Sequence, residues 1–340
     1  MLELRIANKF SKHTWDVLFH NVKVLSYNEN LYDVVYKNHK FKIEFDSKNP
    51  NITYYNFFEK IHLTESLPNS LFTEYAIIIE GEYCKAFEEA NNKYNTLFTD
   101  NFSENTNYLF SQTIFKWNKI AGIRWFYEFK SIYDNMNHEY RFGYFILRKN
   151  KFRISLGNLL SNNDFCFINH FKNEQYNKSI KYTQLNDWIG HYDFDNLLKI
   201  HPRPDDFNFD LDYFFRVLPK SKIVLLDETH SDKVNKQKFD WLTEKTYGLI
   251  LANIPFIPTN YNTLNMIYTI FDIEAYPFED DIKTISTNPE LINNFIIDFN
   301  SSFNENYNII KEWNTKLHNE FMNKIYSENS LFEYFIKKFG

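Results

Sequence analysis

Four consecutive residues, Thr243-Glu244-Lys245-Thr246, place a carboxylate, an ammonium group and two hydroxyls in one short stretch, with Trp241 just before them. An ionised carboxylate is an acceptor-only group that can take paired hydrogen bonds from two neighbouring hydroxyls of a ligand. A lysine beside it is a compact charge for a phosphate, and an indole can stack on a flat ring. Glu228-Thr229, upstream, adds a further acid and hydroxyl. Arg153 is a second candidate cation, and because the chain has only seven arginines, its closeness to Arg148 carries more weight than any lysine cluster. Glu80, with Glu74 and Glu82 near it in the chain, stands at the carboxyl end of an expected strand and is better placed for chemistry than most acids here. Together these residue types suit a phosphorylated, hydroxyl-bearing ligand and a proton transfer. Each also has a plainer reading: Glu244-Lys245 as an exposed helix start, and Arg148 to Arg153 as a solvated basic face.

The elements around these residues decide whether they can meet. The run Ile223-Val224-Leu225-Leu226 reads as a buried parallel strand, and Asp227-Glu228-Thr229 as the polar loop at its carboxyl end. Thr243 is placed to cap a helix, with Glu244 in the first turn, and an apolar-periodic run continues to Ala252. Ile254 to Pro258 reads as a second strand, closing a β-α-β unit. Open sheets of this kind bind ligands outside the carboxyl ends of their strands, where Glu228-Thr229 and Thr243-Glu244-Lys245 would meet. A similar unit comes earlier. It has a strand at Tyr144 to Leu147, basic residues from Arg148 to Arg153, helical spacing at Ile154, Leu156, Leu159 and Leu160, and a strand at Phe165 to Asn169. There the basic residues fall at a helix start, where an anion can also use free backbone N–H groups. Tyr75 to Ile79 reads as another buried parallel strand, ending at Glu80.

The order strand, Glu228-Thr229, loop, Trp241-x-Thr243-Glu244-Lys245, helix, Ile254-Pro255 strand resembles the sugar-nucleotide site of GT-B glycosyltransferases of the α1,3-fucosyltransferase type. It also resembles viral and bacterial glycosyltransferase-like proteins with a Thr-Glu-Lys-Thr core. The match covers roughly 40 residues well. The resemblance implies an α/β protein with two Rossmann-like domains facing a cleft (GT-B) and C-terminal helices that return onto the first domain. It implies that Glu244 holds the donor ribose, and that Lys245 and Arg153 face the diphosphate. Trp241 would stack on the base, while Glu228, Thr229, Thr243 and Thr246 would contact donor sugar or phosphate. Glu80 would deprotonate the acceptor hydroxyl. No cofactor or metal is implied, the nucleotide-sugar being a co-substrate. The chain departs from the pattern at Tyr247-Gly248, where relatives carry a Lys-Pro pair or similar, and at Pro258-Thr259-Asn260, which replaces a glycine-rich turn.

Across the whole chain, 340 residues with 44% hydrophobic content suffice for two domains with cores of their own. The expected division is 1–200 for an acceptor-side α/β domain, 201–305 for the nucleotide-sugar domain and 306–340 for C-terminal helices, with His201-Pro202-Arg203-Pro204 as the boundary. Other expected strands are Leu2 to Ile6, Thr14 to Phe19, Asp33 to Tyr36 and Phe41 to Phe45. Residues 83–98, Leu211 to Leu218, Thr263 to Phe271, Pro289 to Phe299, Tyr307 to Lys324 and Leu331 to Lys338 read as helices. Asn101 to Asn107 reads as a loop and Ile273 to Phe278 as a strand or turn. The aromatic content of 19% includes Trp117 and Trp125, which suit either core packing or an acceptor platform.

The net charge of −6 argues against holding nucleic acid by bulk charge. Cys84 and Cys166 lack metal spacing, as do His170, His191, His201 and His230, and Asp210-Leu211-Asp212 reads as a helix start. A polar N-terminus and the lack of a long apolar run predict a cytoplasmic protein with no membrane span, in the host cytoplasm if it is viral. The partners expected are a nucleotide-sugar donor and a hydroxyl acceptor, either a glycan or a hydroxymethylated base of viral DNA. The alternatives are a non-catalytic nucleotide-sugar- or glycan-binding protein with a GT-B-like fold, or a nucleotidyl or phosphoryl transferase. The absence of GxxxxGK[ST] and GxGxxG weighs against the last.

Overall fold

The computed structural model describes residues 1–56, 73–79, 96–99, 106–114, 138–145, 151–168, 221–228 and 242–340. The chain is an α/β protein with two all-parallel sheets and C-terminal helices, divided into two compact units. One comprises Met1–Lys116, Lys236–Trp241 and Asn323–Gly340, and the other Trp117–Asn235 and Leu242–Met322.

The first unit opens with β1 (Leu2–Arg5), α1 (Lys12–Leu18), β2 (Lys23–Asn28), β3 (Leu31–Tyr36) and β4 (His39–Glu44), forming a mixed sheet in the order β1-β4-β3-β2. A parallel bridge from Ile6 to Ile52 carries β1 over to β5 (Ile52–Asn56). There β5 joins β6 (Tyr75–Ile79), β7 (Thr96–Thr99) and β8 (Thr106–Tyr108) in a parallel sheet that keeps sequence order. Tyr75, Ala76 and Ile77 are fully buried, as the unbroken apolar run requires of a strand covered on both faces.

Three expectations are corrected in this unit. Thr14 to Phe19, expected as a strand, lies in α1 and its C-cap, because Ser11 caps a helix by accepting from Thr14 N at 3.0 Å. Trp15, Val17 and Phe19 alternate as a strand would, yet Leu18 is buried along with Val17 and Phe19, which a strand with one wet face would not allow. Residues 96–98, the end of an expected helix, lie in β7, and Thr106 and Asn107, expected in a loop, lie in β8.

The last helix, α8 (Ser330–Phe339), belongs to this unit, and Leu331, Phe332 and Phe335 are buried in its core. The rings of Phe332 and Phe41 meet at 4.6 Å, and those of Phe335 and Tyr75 at 5.2 Å. Asn329 caps α8 and is wholly buried. Its Oδ1 accepts from Leu331 N, Phe332 N and Gln112 Nε2, and its Nδ2 donates to Leu18 O and His20 O.

The second unit is built on β9 (Tyr140–Tyr144), β10 (Cys166–Ile168), β11 (Ser221–Leu226) and β12 (Phe256–Pro258), all parallel, in the order β10-β9-β11-β12. After β9, α2 (Lys151–Leu160) leads to β10 on one side; after β11, α3 (Glu244–Leu251) leads to β12 on the other. The winding direction therefore reverses between β9 and β11. Helices α4 (Tyr261–Ile270), α5 (Glu279–Ile285), α6 (Pro289–Ser301) and α7 (Phe303–Ser327), the last as far as Met322, follow in this unit. Asn260 and Asn288 cap α4 and α6 with their side chains. Among the helices, α5 has no counterpart in the sequence reading, while Ile273 to Phe278 is irregular before its turn.

Candidate site at the carboxyl edge of the second sheet

Parallel strands place all their carboxyl ends along one edge, and the helices that follow begin there. In open sheets of this kind, the point where the winding reverses leaves a crevice at that edge. Tyr144 ends β9, Asp227 and Glu228 follow β11 directly, Arg153 is in the first turn of α2, and Lys245 is in the first turn of α3. The reversal between β9 and β11 thus gathers a phenol, two acids and two cations, each no more than about a tenth exposed.

The two acids are consecutive but serve different helices. Arg153 Nε donates to Asp227 Oδ2 at 2.6 Å, and its Nη2 donates to the Asp227 main-chain oxygen at 3.3 Å. Tyr144 donates its hydroxyl to the same Oδ2 at 3.3 Å. Glu228 turns to the start of α3. One of its oxygens accepts from Thr243 N at 3.1 Å and from the Thr246 hydroxyl, and the other accepts from Thr243 Oγ1 at 2.6 Å. Thr243 Oγ1 in turn caps the helix by accepting from Lys245 N at 3.3 Å. The N-terminus of α3, which favours a negative charge, therefore already holds one in Glu228.

Burial shapes the ionisation of this group. It pushes the Asp227 carboxyl up, while Arg153 and Lys245 pull it down and Glu228 pushes it further up. The net effect on Asp227 is upward, burial being the largest cause, and the Arg153 guanidinium at 2.6 Å is the strongest force holding it down. Burial works against the Arg153 charge, but Asp227 more than offsets it and leaves the guanidinium more basic than usual. Burial first, and the Asp227 charge second, raise the Tyr144 phenol well above its ordinary value, so it remains a neutral donor.

Of the residues singled out by sequence, Arg153, Glu228, Thr243, Lys245 and Thr246 lie together at this edge. Glu244 is the first residue of α3. Thr229, Trp241, Glu80, Glu82, Arg148, Lys149, Trp117 and Trp125 lie outside the described residues. Glu74 precedes β6, at the amino end of that strand rather than its carboxyl end, and approaches Lys338 at 3.7 Å. Glu228, expected to reach a donor sugar, has its carboxylate directed at Thr243 and Thr246. Sequence reasoning gave no role to Asp227, read as the start of a polar loop, or to Tyr144, read as the start of a strand to Leu147; the strand is Tyr140–Tyr144, so Tyr144 stands at its carboxyl end. The available signal was position, since Asp227 is the first residue past the apolar run of β11 and so the acid nearest the strand end.

Among the described residues, no group of three or more His, Cys, Asp or Glu is arranged to hold a metal ion, and no helix is long and apolar enough to cross a membrane. Compared with protein-family models, curated proteins and solved structures, the chain matches none.

Proposed function

We propose that the chain is a nucleotide-sugar-dependent glycosyltransferase of GT-B arrangement, with its donor at the carboxyl edge of the β9–β12 sheet. One observation carries the reading: Arg153 and Lys245 begin two helices on either side of the winding reversal, and both are buried there. Transfer from a nucleotide-sugar leaves a diphosphate whose growing charge needs preorganised cations, and this edge provides two. Glu244, beginning α3 beside Lys245, is assigned to the ribose hydroxyls. Glu80 is assigned as the base on the strength of the family resemblance. The acceptor is a hydroxyl, on a glycan or on a hydroxymethylated base of viral DNA.

A thermal-shift screen against UDP-, GDP-, TDP- and CMP-sugars and their bare nucleotides tests the donor site. A ligand at a hundred times its dissociation constant adds about 2.7 kcal/mol of stability. One nucleotide class should raise the melting temperature, and Glu244→Ala should abolish that rise without lowering the melting temperature of the free protein. A shift of equal size in Glu244→Ala would refute the assignment, and no shift with any nucleotide would refute the donor site.

A second reading draws on the internal pairing of these charges. Glu228 is engaged by three donors of α3, and Asp227 by Arg153 and Tyr144, which suits a binding protein that recognises nucleotide-sugars or glycans without turnover. Hydrolysis of a radiolabelled donor separates the two, because a transferase leaks sugar to water and a binding protein returns the donor intact.

A further inference from the structure

We propose that Asp227 is a positioning residue for diphosphate at this edge, holding Arg153 in the orientation that the anion needs. The inference deepens the donor-site reading and rests on it for the place of the anion. Asp227 grips the guanidinium at two points, through Oδ2 and through its main-chain oxygen. Tyr144, from the strand across the reversal, holds the same Oδ2. The other oxygen, Oδ1, is buried and accepts no hydrogen bond among the described residues.

An ion pair retained only for stability would satisfy both carboxylate oxygens, and well-packed apolar residues often replace a buried pair with no loss. Among the described residues this pair keeps a buried acceptor unsatisfied while fixing the direction of a guanidinium, whose planar fork makes direction matter for a phosphate. The pair also bridges the end of β11 and the start of α2, so it fixes the cation relative to the reversal itself. The charge of Lys245 also draws the same carboxyl down, though less than Arg153 does.

Charge and positioning predict opposite results for Asp227→Asn. By charge alone, removing a carboxylate beside two cations strengthens anion binding. If Asp227 positions Arg153, the same change weakens it.

Calorimetric titration of the full chain with inorganic pyrophosphate and with inorganic phosphate tests this. Wild type should bind pyrophosphate more tightly than phosphate. Asp227→Asn should bind pyrophosphate about tenfold more weakly, equivalent to one charge-assisted hydrogen bond, with a smaller pyrophosphate-to-phosphate preference. A folding defect would lower the bound fraction for both anions and leave the preference unchanged. Tyr144→Phe keeps the ion pair and removes one hold on Oδ2, so it should shift the preference in the same direction by less, which decides the matter if Asp227→Asn does not fold. Equal or tighter pyrophosphate binding by Asp227→Asn, an unchanged preference in Tyr144→Phe, or no binding by wild type would each overturn the inference. If the pyrophosphate pattern holds but no nucleotide-sugar stabilises wild type, the glycosyltransferase reading falls and the role of Asp227 stands.

Discussion

Asp227 and Glu228 are adjacent in the chain, yet each fastens a different helix to the same strand end. Asp227 takes Arg153 from α2, and Glu228 takes Thr243 and Thr246 from α3. The exit of β11 is therefore the joint between the two helix starts that flank the winding reversal. An ordinary loop would leave those helices to be placed by packing alone.

Glu228→Gln tests the α3 side of the joint. Glutamine keeps one acceptor but turns an NH2 group toward a hydroxyl or N–H that now donates to the carboxylate. It also removes a charge from a helix N-terminus. The expected loss is roughly 2–3 kcal/mol, read as a lower urea midpoint at unchanged slope. Thr243→Ala, which removes the cap as well as one bond to Glu228, should lose about 1–2 kcal/mol. A Glu228→Gln variant as stable as wild type would mean that the acid does not hold α3.

The α2 side makes a sharper case, because both partners are almost fully buried, at 3% and 2% side-chain exposure. Arg153→Leu leaves the buried Asp227 carboxyl without its partner and should destabilise by about 3–5 kcal/mol. Adding Asp227→Leu removes the stranded group and should recover most of that loss, although the double variant should not bind pyrophosphate. Equilibrium unfolding of the two single variants and the double variant gives the coupling. Additive losses would show that the pair does not act as a unit.

How much of this was legible in sequence depended on the range of the interaction. Tyr75 to Ile77 and Ile223 to Leu226 could be read as parallel strands because burial on both faces leaves an unbroken apolar run. The Thr243 cap was legible because a cap is a local hydrogen bond, here to a residue two positions on. The partner of Arg153 was not, because it lies 74 residues away and only the strand order brings it near. Asp227 was overshadowed by Glu228 for the same reason, since nothing local distinguishes an acid that meets a distant arginine from one that meets the next helix. The helix at α1 was misread because its apolar residues fit both periods over so short a span.

Gly143 in β9 gives a packing prediction beside the site. A Cβ at this position would collide with the Ser221 hydroxyl on the neighbouring strand, and would lie 3.0 Å from the Phe145 ring. Gly143→Ala should destabilise by roughly 1–3 kcal/mol through overpacking. Removing the hydroxyl with Ser221→Ala in the same chain should restore a substantial part of it. Thermal melts of the two single variants and the double variant measure the recovery. If the double variant is as unstable as the sum of the singles, strand spacing rather than the hydroxyl sets the limit.

His20 sits beside the Asn329 knot that seats α8, and it makes the stability of the first unit depend on pH. The ring is 8% exposed, and its Nδ1 lies 3.1 Å from Val17 O. Burial lowers its pKa from 6.5 to about 4, partly offset by hydrogen bonds to the Val17 and Glu328 backbone. The unfolded chain therefore binds a proton that the folded one refuses. Stability is complete above the unfolded pKa and falls as pH drops from 6.5 toward about 4, levelling off below that. The full effect is on the order of 3 kcal/mol, with about 2 kcal/mol of it lost by pH 5. Asn329 donates to His20 O at 2.9 Å, so the loss should appear first as release of α8. Urea unfolding at about pH 7.5 and pH 5 should show wild type losing this margin relative to His20→Gln, which cannot titrate. Protection factors at the Leu331, Phe332 and Phe335 amides, which correct exchange for its intrinsic fall with pH, should drop at the lower pH in wild type alone. Equal pH dependence in the two proteins would remove His20 as the cause.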